Sequence, residues 1–161
     1  MKTRFLFSGA LAAFALVLSA CGDDTTLLVP NLLFDSCNVT ADPDAHEPDD
    51  TFAQAEALPG IAKNLTITDL TMDDGIDIYK IVVTSIDSTI TLTFTHAQGD
   101  LDLYVLDDEF EVIDASKSSD DNESLFASAP AAGTYYILVN AAGCPPGATA
   151  QTYSLFWNDG I

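Results

Sequence analysis

The stretch Ile90-Thr91-Leu92-Thr93-Phe94-Thr95 alternates apolar and hydroxyl side chains without a break. Successive side chains of a strand point to opposite faces, so this period of two predicts a strand with one buried and one solvated face. The same period returns at Tyr79, Ile81 and Val83, at Leu101, Leu103 and Val105, at Tyr135, Ile137 and Val139, and at Tyr153, Leu155 and Trp157. Runs at 65–70, 110–113 and 124–127 read as weaker strands. Turn-forming clusters separate them: Asp73-Asp74-Gly75, Gln98-Gly99-Asp100, Ser118-Ser119-Asp120-Asp121-Asn122 and Ala131-Ala132-Gly133. Only 51–58 reads as a short helix, with Phe52, Ala55 and Leu58 on one side and Thr51 or Asp50 as its cap. About eight short strands and almost no helix predict an all-β fold, a single two-sheet β-sandwich.

The chain opens differently. Lys2 and Arg4 precede an apolar run from Phe5 to Leu18, too short to span a bilayer comfortably, and small residues then lead into Cys21. This order resembles the lipobox of bacterial lipoproteins, whose cysteine is diacylated and becomes the first residue after cleavage. Residues 1–20 are therefore expected to be a lipoprotein signal peptide, 21–44 the lipidated N-terminus and tether, and 45–161 the sandwich domain. Two or three acyl chains on Cys21 would hold the protein stably, since each buried CH₂ contributes ~0.8 kcal/mol. Gly22 follows the cysteine where an Asp would signal inner-membrane retention in enteric bacteria, so the expected location is the outer membrane of the cell envelope. Within the tether, Leu27-Leu28-Val29-Pro30-Asn31-Leu32-Leu33-Phe34 is too apolar for a pure linker; it either packs on the domain or meets a partner.

Without residues 1–20, Lys63, Lys80 and Lys117 stand against 25 acidic residues, a net charge of −22. Such a surface disfavours nucleic acid and anionic lipid head groups and favours cations, although acidity also serves solubility alone. With Cys21 acylated, Cys37 and Cys144 are left in an oxidising compartment, where a disulfide is the default expectation. Closing that loop would stabilise the fold by roughly 4–5 kcal/mol in the chain-entropy model.

Five fragments then occur in order: Glu47-Pro48-Asp49-Asp50, Asp74-Gly75-Ile76-Asp77-Ile78-Tyr79, Gly99-Asp100-Leu101-Asp102-Leu103-Tyr104, Pro130-Ala131-Ala132-Gly133-Thr134-Tyr135-Tyr136 and Tyr153-Ser154-Leu155. Together they resemble the bacterial pre-peptidase C-terminal domain, which accompanies secreted proteases and occurs in the collagen-binding segments of clostridial collagenases. The resemblance implies a jelly-roll-like sandwich and a non-catalytic role in secretion or substrate binding. The 161 residues hold no protease domain, so an accessory role would serve a separately encoded enzyme.

Glu47, Asp49, Asp50, Asp74 and Asp77 are the candidate metal ligands, because calcium takes six to eight hard oxygens and clustered loop carboxylates supply them. In the calcium-binding members of the family, the corresponding acidic positions hold the metal and pin the incoming linker. Here Asp49-Asp50 replaces the family's Asn-Asp pair, and Ala45 stands where strong binders carry a further acid, so no second ion is expected. Asp69 is a weaker candidate. The alternative is that Asp50 caps the helix and Asp77 closes a turn, with no metal. A second acidic group, Asp100, Asp102, Asp107, Asp108 and Glu109, reads as a solvated strand face and a tight turn.

Catalysis finds no motif: there are two histidines, His46 and His96, and no HExxH, GxSxG or phosphate-cradling loop. Tyr104, Tyr136 and Phe156 fall opposite the core positions. They are either an exposed surface for a ligand or the second packed side of a sheet. The sequence thus points to a monomeric, non-enzymatic, calcium-stabilised module, anchored in the membrane by lipid and binding extracellular protein or polysaccharide. The alternative is a purely structural envelope lipoprotein.

Overall fold

The computed structural model describes residues 28–29, 32–33, 44–73, 75–84, 87–129, 131–143 and 151–160. Strands β1 (Leu28–Val29) and β2 (Leu32–Leu33) pair as a small antiparallel ribbon. After helix α1 (Phe52–Ala57) come β3 (Leu65–Met72), β4 (Ile76–Val83), β5 (Asp87–Thr93), β6 (Asp100–Leu106), β7 (Val112–Ser116), β8 (Glu123–Ser128), β9 (Gly133–Gly143) and β10 (Gln151–Asp159). The eight longer strands form two four-stranded antiparallel sheets, ordered β3-β10-β5-β8 and β4-β9-β6-β7. The fold is an all-β sandwich of two sheets.

The alternation in the sequence is what fills the space between the sheets. Ile90 and Leu92 from β5, Leu155 and Trp157 from β10, Leu101 and Leu103 from β6, and Ile137 and Val139 from β9 belong to one buried cluster. The first sheet keeps its other face in solvent, so β5, β8 and β10 retain the period of two.

The second sheet is covered on both faces. Ile76, Ile78, Tyr104, Leu106, Tyr136 and Leu138 form a second buried cluster with Ala55 of α1. Phe52 stacks on Phe110 at 4.0 Å between ring centroids and meets Tyr136 edge-on at 5.5 Å. Tyr104 and Tyr136 are therefore packed; they are not the exposed surface that was one of the two sequence expectations. The helix is only six residues long and is fixed by this packing, with Thr51 as N-cap accepting from the Gln54 N–H.

Strand β7 starts later than the sequence pattern suggests. The Asp107 carboxylate accepts from the N–H groups of Glu109 and Glu111, closing a tight turn with Phe110 at φ 64°, and the strand begins only at Val112. The nearby Asp102 is also not a solvated strand residue. It is buried, accepts a hydrogen bond from the Tyr104 hydroxyl at 3.0 Å, and burial foremost raises its pKa.

Strands β3 and β4 are the edges of their sheets on the same side of the sandwich. The incoming segment covers the β4 edge: the Ile78 N–H donates to the Asp49 carbonyl and the Ile61 N–H to the Lys80 carbonyl, each at 2.9 Å. This protects a strand edge that would otherwise invite foreign pairing.

Candidate metal centre

The incoming segment, the end of β3 and the start of β4 meet at one corner. Asp44 fixes the segment from below: its carboxylate accepts from the Thr71 N–H on β3 at 2.7 Å and from the His46 N–H at 2.7 Å. The Glu47–Pro48 peptide bond is cis. The Asp49 carbonyl is held by Ile78 of β4. Pinned at both ends, the segment delivers three carboxylates to the β3–β4 turn.

Two overlapping groups of acids result: Glu47 with Asp49 and Asp50, and Glu47 with Asp73 and Asp77; within each group the contributing oxygens all lie within 4.8 Å of one another. Oxygens on opposite sides of a calcium ion, each bonded at ~2.4 Å, are separated by about that distance. The donor set consists only of hard oxygens. Its size and chemistry fit a divalent hard cation.

Asp49 and Asp77 are each only 1% exposed. Among the described residues, one buried oxygen of Asp49 and one of Asp73 lack a hydrogen-bond donor. No lysine or histidine among the described residues is ion-paired with Glu47, Asp49, Asp50 or Asp73. The electrostatic consequence is large. Burial, reinforced by the charges of Asp77 and Glu47, pushes Asp49 up to about 10. Burial, with Asp73 and Asp50 close by, pushes Glu47 up to about 8. Asp73 is raised as well, by burial foremost. Carboxylates taken from water and crowded together without a cation hold protons instead.

Asp77 is tied into the interior. It accepts a hydrogen bond from the Tyr153 hydroxyl, and the Tyr153 and Tyr79 hydroxyls lie 2.6 Å apart. This chain of groups links β4 to β10 across the two sheets.

Of the five acids chosen from sequence, Glu47, Asp49, Asp50 and Asp77 are brought together, while Asp74 lies outside the described residues. Asp73 joins the group as well; the Asp73-Asp74-Gly75 run was visible, but that Asp73 turns inward depends on the turn geometry. Asp50 also accepts from the Gln54 side chain at 3.4 Å, whereas the helix cap itself is Thr51. Asp69 is exposed in β3 and belongs to neither group. Cys21, Cys37 and Cys144 lie outside the described residues. His96 places its Nδ1 3.2 Å from Asp100, and the His46 ring meets Tyr79 edge-on at 6.1 Å.

Residues 75–141 match the family model of the bacterial pre-peptidase C-terminal domain. Among solved structures, the crystal structure of the pre-peptidase C-terminal domain of collagenase from Bacillus anthracis is similar at 19% identity and a TM-score of 0.49. That match covers 63% of this chain and 98% of the other. No curated protein matches. Domains of this family are non-catalytic accessory modules, and residues 75–141 of the chain are similar to them.

Proposed function

We propose that the chain is a non-catalytic binding or accessory module of the cell envelope, stabilised by calcium at Glu47, Asp49, Asp50, Asp73 and Asp77, with Asp74 adjoining in sequence. The observation that carries the calcium reading is Asp49: a carboxylate 1% exposed, with one oxygen lacking a donor among the described residues and other acids crowded around it. A cation at this corner would let the acids ionise and bind the incoming segment to both sheet edges.

The test is the thermal midpoint of the protein in millimolar calcium and in excess chelator. A rise of several degrees with calcium, lost in Asp49→Asn combined with Asp77→Asn, is expected. Equal midpoints in the two conditions would overturn the calcium reading.

Lipid attachment at Cys21, with the protein held at the outer membrane, is the proposed anchor. It is supported by the order of charge, apolar run and small residues that precede the cysteine. Cys21→Ser should move the protein from the membrane to the soluble fraction. The proposed Cys37–Cys144 disulfide should appear as one cross-linked peptide pair in non-reducing mass spectrometry, and free thiols at both positions would exclude it. Serving an extracellular polymer or a separate secreted enzyme is the role this arrangement suits.

A further inference from the structure

The outer face of the β3-β10-β5-β8 sheet contrasts with the rest of the chain. Thr66 and Thr68 of β3, Thr152 and Ser154 of β10, Thr89, Thr91 and Thr93 of β5, and Ser124 and Ser128 of β8 lie on the face opposite the core positions. Two aromatics share it: Phe156 beside Thr91, and Phe126 beside Thr89 and 55% exposed. Among the described residues of this face the carboxylates are Asp87, at the end of β5 and bonded by the Ser128 hydroxyl, and Asp69. A chain with 25 acidic residues thus holds a face almost without charge.

Asp69 marks where the face turns concave. Tyr153 pairs with Leu70 and Leu155 with Ile67, so Thr68 and Asp69 together oppose Ser154: a β-bulge, with Asp69 at φ 61°. Bulges re-aim side chains and are over-represented beside binding sites. Here the bulge rims a cavity of about 300 Å³, lined by Thr68, Asp69, Thr93, Gln98, Thr152 and Ser154. The Thr68 hydroxyl donates to Asp69 at 2.9 Å.

We propose that this face and its pocket bind an uncharged polysaccharide chain. Threonine and serine hydroxyls both donate and accept, as sugar hydroxyls do, and Asp69 and Gln98 offer the acceptor and amide that fix orientation in a sugar-sized pocket. Phe126 and Phe156 lie on either side of β5 and one side-chain step apart, ~12 Å from backbone spacings, and present apolar surface to the C–H faces of non-adjacent sugar rings along one chain. Charge selects against other occupants: a chain this acidic repels polyanions, whether uronic-acid polymers or nucleic acid.

This inference rests on reading the chain as a binding module, and it is tested apart from the metal. The whole chain, in a polyoxyethylene detergent with calcium, is titrated calorimetrically with chitohexaose, cellohexaose, laminarihexaose and xylohexaose, with hexagalacturonate as the anionic control. At least one neutral hexamer should bind, and Phe126→Ala and Asp69→Ala should each weaken it at least five-fold. Both positions are exposed, so the response of the thermal midpoint to calcium should stay unchanged in each; Asp69→Ala alone should lower the midpoint itself, because alanine disfavours the left-handed backbone there. Absence of binding by all four neutral hexamers, binding that survives both substitutions, or equal binding of hexagalacturonate overturns the proposal. A dimer in sedimentation equilibrium that Phe126→Ala dissociates would assign the face to a second copy and also overturn it. Absence of sugar binding by the unsubstituted chain with its calcium response intact refutes this inference alone, whereas a missing calcium response beside intact sugar binding refutes only the metal reading.

Discussion

The hydroxyl of Tyr153 on β10 donates a hydrogen bond to the carboxylate of Asp77 on β4, joining opposite sheets at the carboxylate corner. Both groups are buried, so neither can exchange its partner for water. Tyr153→Phe should destabilise the domain by about 1–3 kcal/mol, the cost of leaving a buried hydrogen-bonding group without its partner. Denaturant unfolding with and without calcium measures it. An unchanged midpoint would mean that the bond contributes nothing net.

Protonation of the acids predicts a pH dependence whose direction follows from the raised pKa values. Glu47 at about 8 and Asp49 at about 10 lie above their unfolded values near 4, so between those limits the folded state binds more protons than the unfolded one. Stability of the metal-free protein therefore falls as pH rises from about 4 toward 8 and beyond. In chelator the thermal midpoint should decline across this window; in millimolar calcium it should stay nearly level. The gap between the two curves should widen with pH.

The core should respond as a close-packed one. Leu92 and Leu103 are fully buried on facing sheets, and Leu92→Ala or Leu103→Ala should each cost about 2–5 kcal/mol in denaturant unfolding. Val82→Ala, at a position 56% exposed, should change stability by less than about 0.5 kcal/mol.

Gly99 precedes β6 at φ 151°, and an added Cβ would stand 2.5 Å from the Gln151 side-chain oxygen. Gln151 is buried and donates from its amide nitrogen to the Gly99 carbonyl at 2.7 Å, so it has little freedom to retreat. Gly99→Ala should lower the thermal midpoint by several degrees. Gly99→Ala with Gln151→Ala should recover part of the loss, which separates the clash from backbone strain.

The strands were legible because one packed face imposes a period of two, as Ile90 and Leu92 illustrate. What escaped the sequence depended on tertiary neighbours. Tyr104 and Tyr136 stand on the side of their strands away from the main core, and nothing local says that Phe52, Ala55 and Phe110 cover them. Asp102 and Tyr104 satisfy one another two positions apart, which a pattern of charges does not distinguish from a solvated face. At the carboxylate corner, Glu47, Asp49, Asp50 and Asp77 could be chosen as acids flanking strand starts. Asp73 required the path of the turn. The β3 bulge, which opens the pocket at Asp69, leaves no trace in composition.

The hold of Ile78 and Thr71 on residues 44–49 also sets a distance. For a chain fastened at Cys21, the leash ends at Asp44 while the corner is closed. Were the acids to repel one another and release it, the leash would run on to Thr51, seven residues further, or about 24 Å at full extension. Calcium supply would then govern how far from the membrane the domain can search: short-reined where the ion is plentiful, longer-reaching where it is scarce.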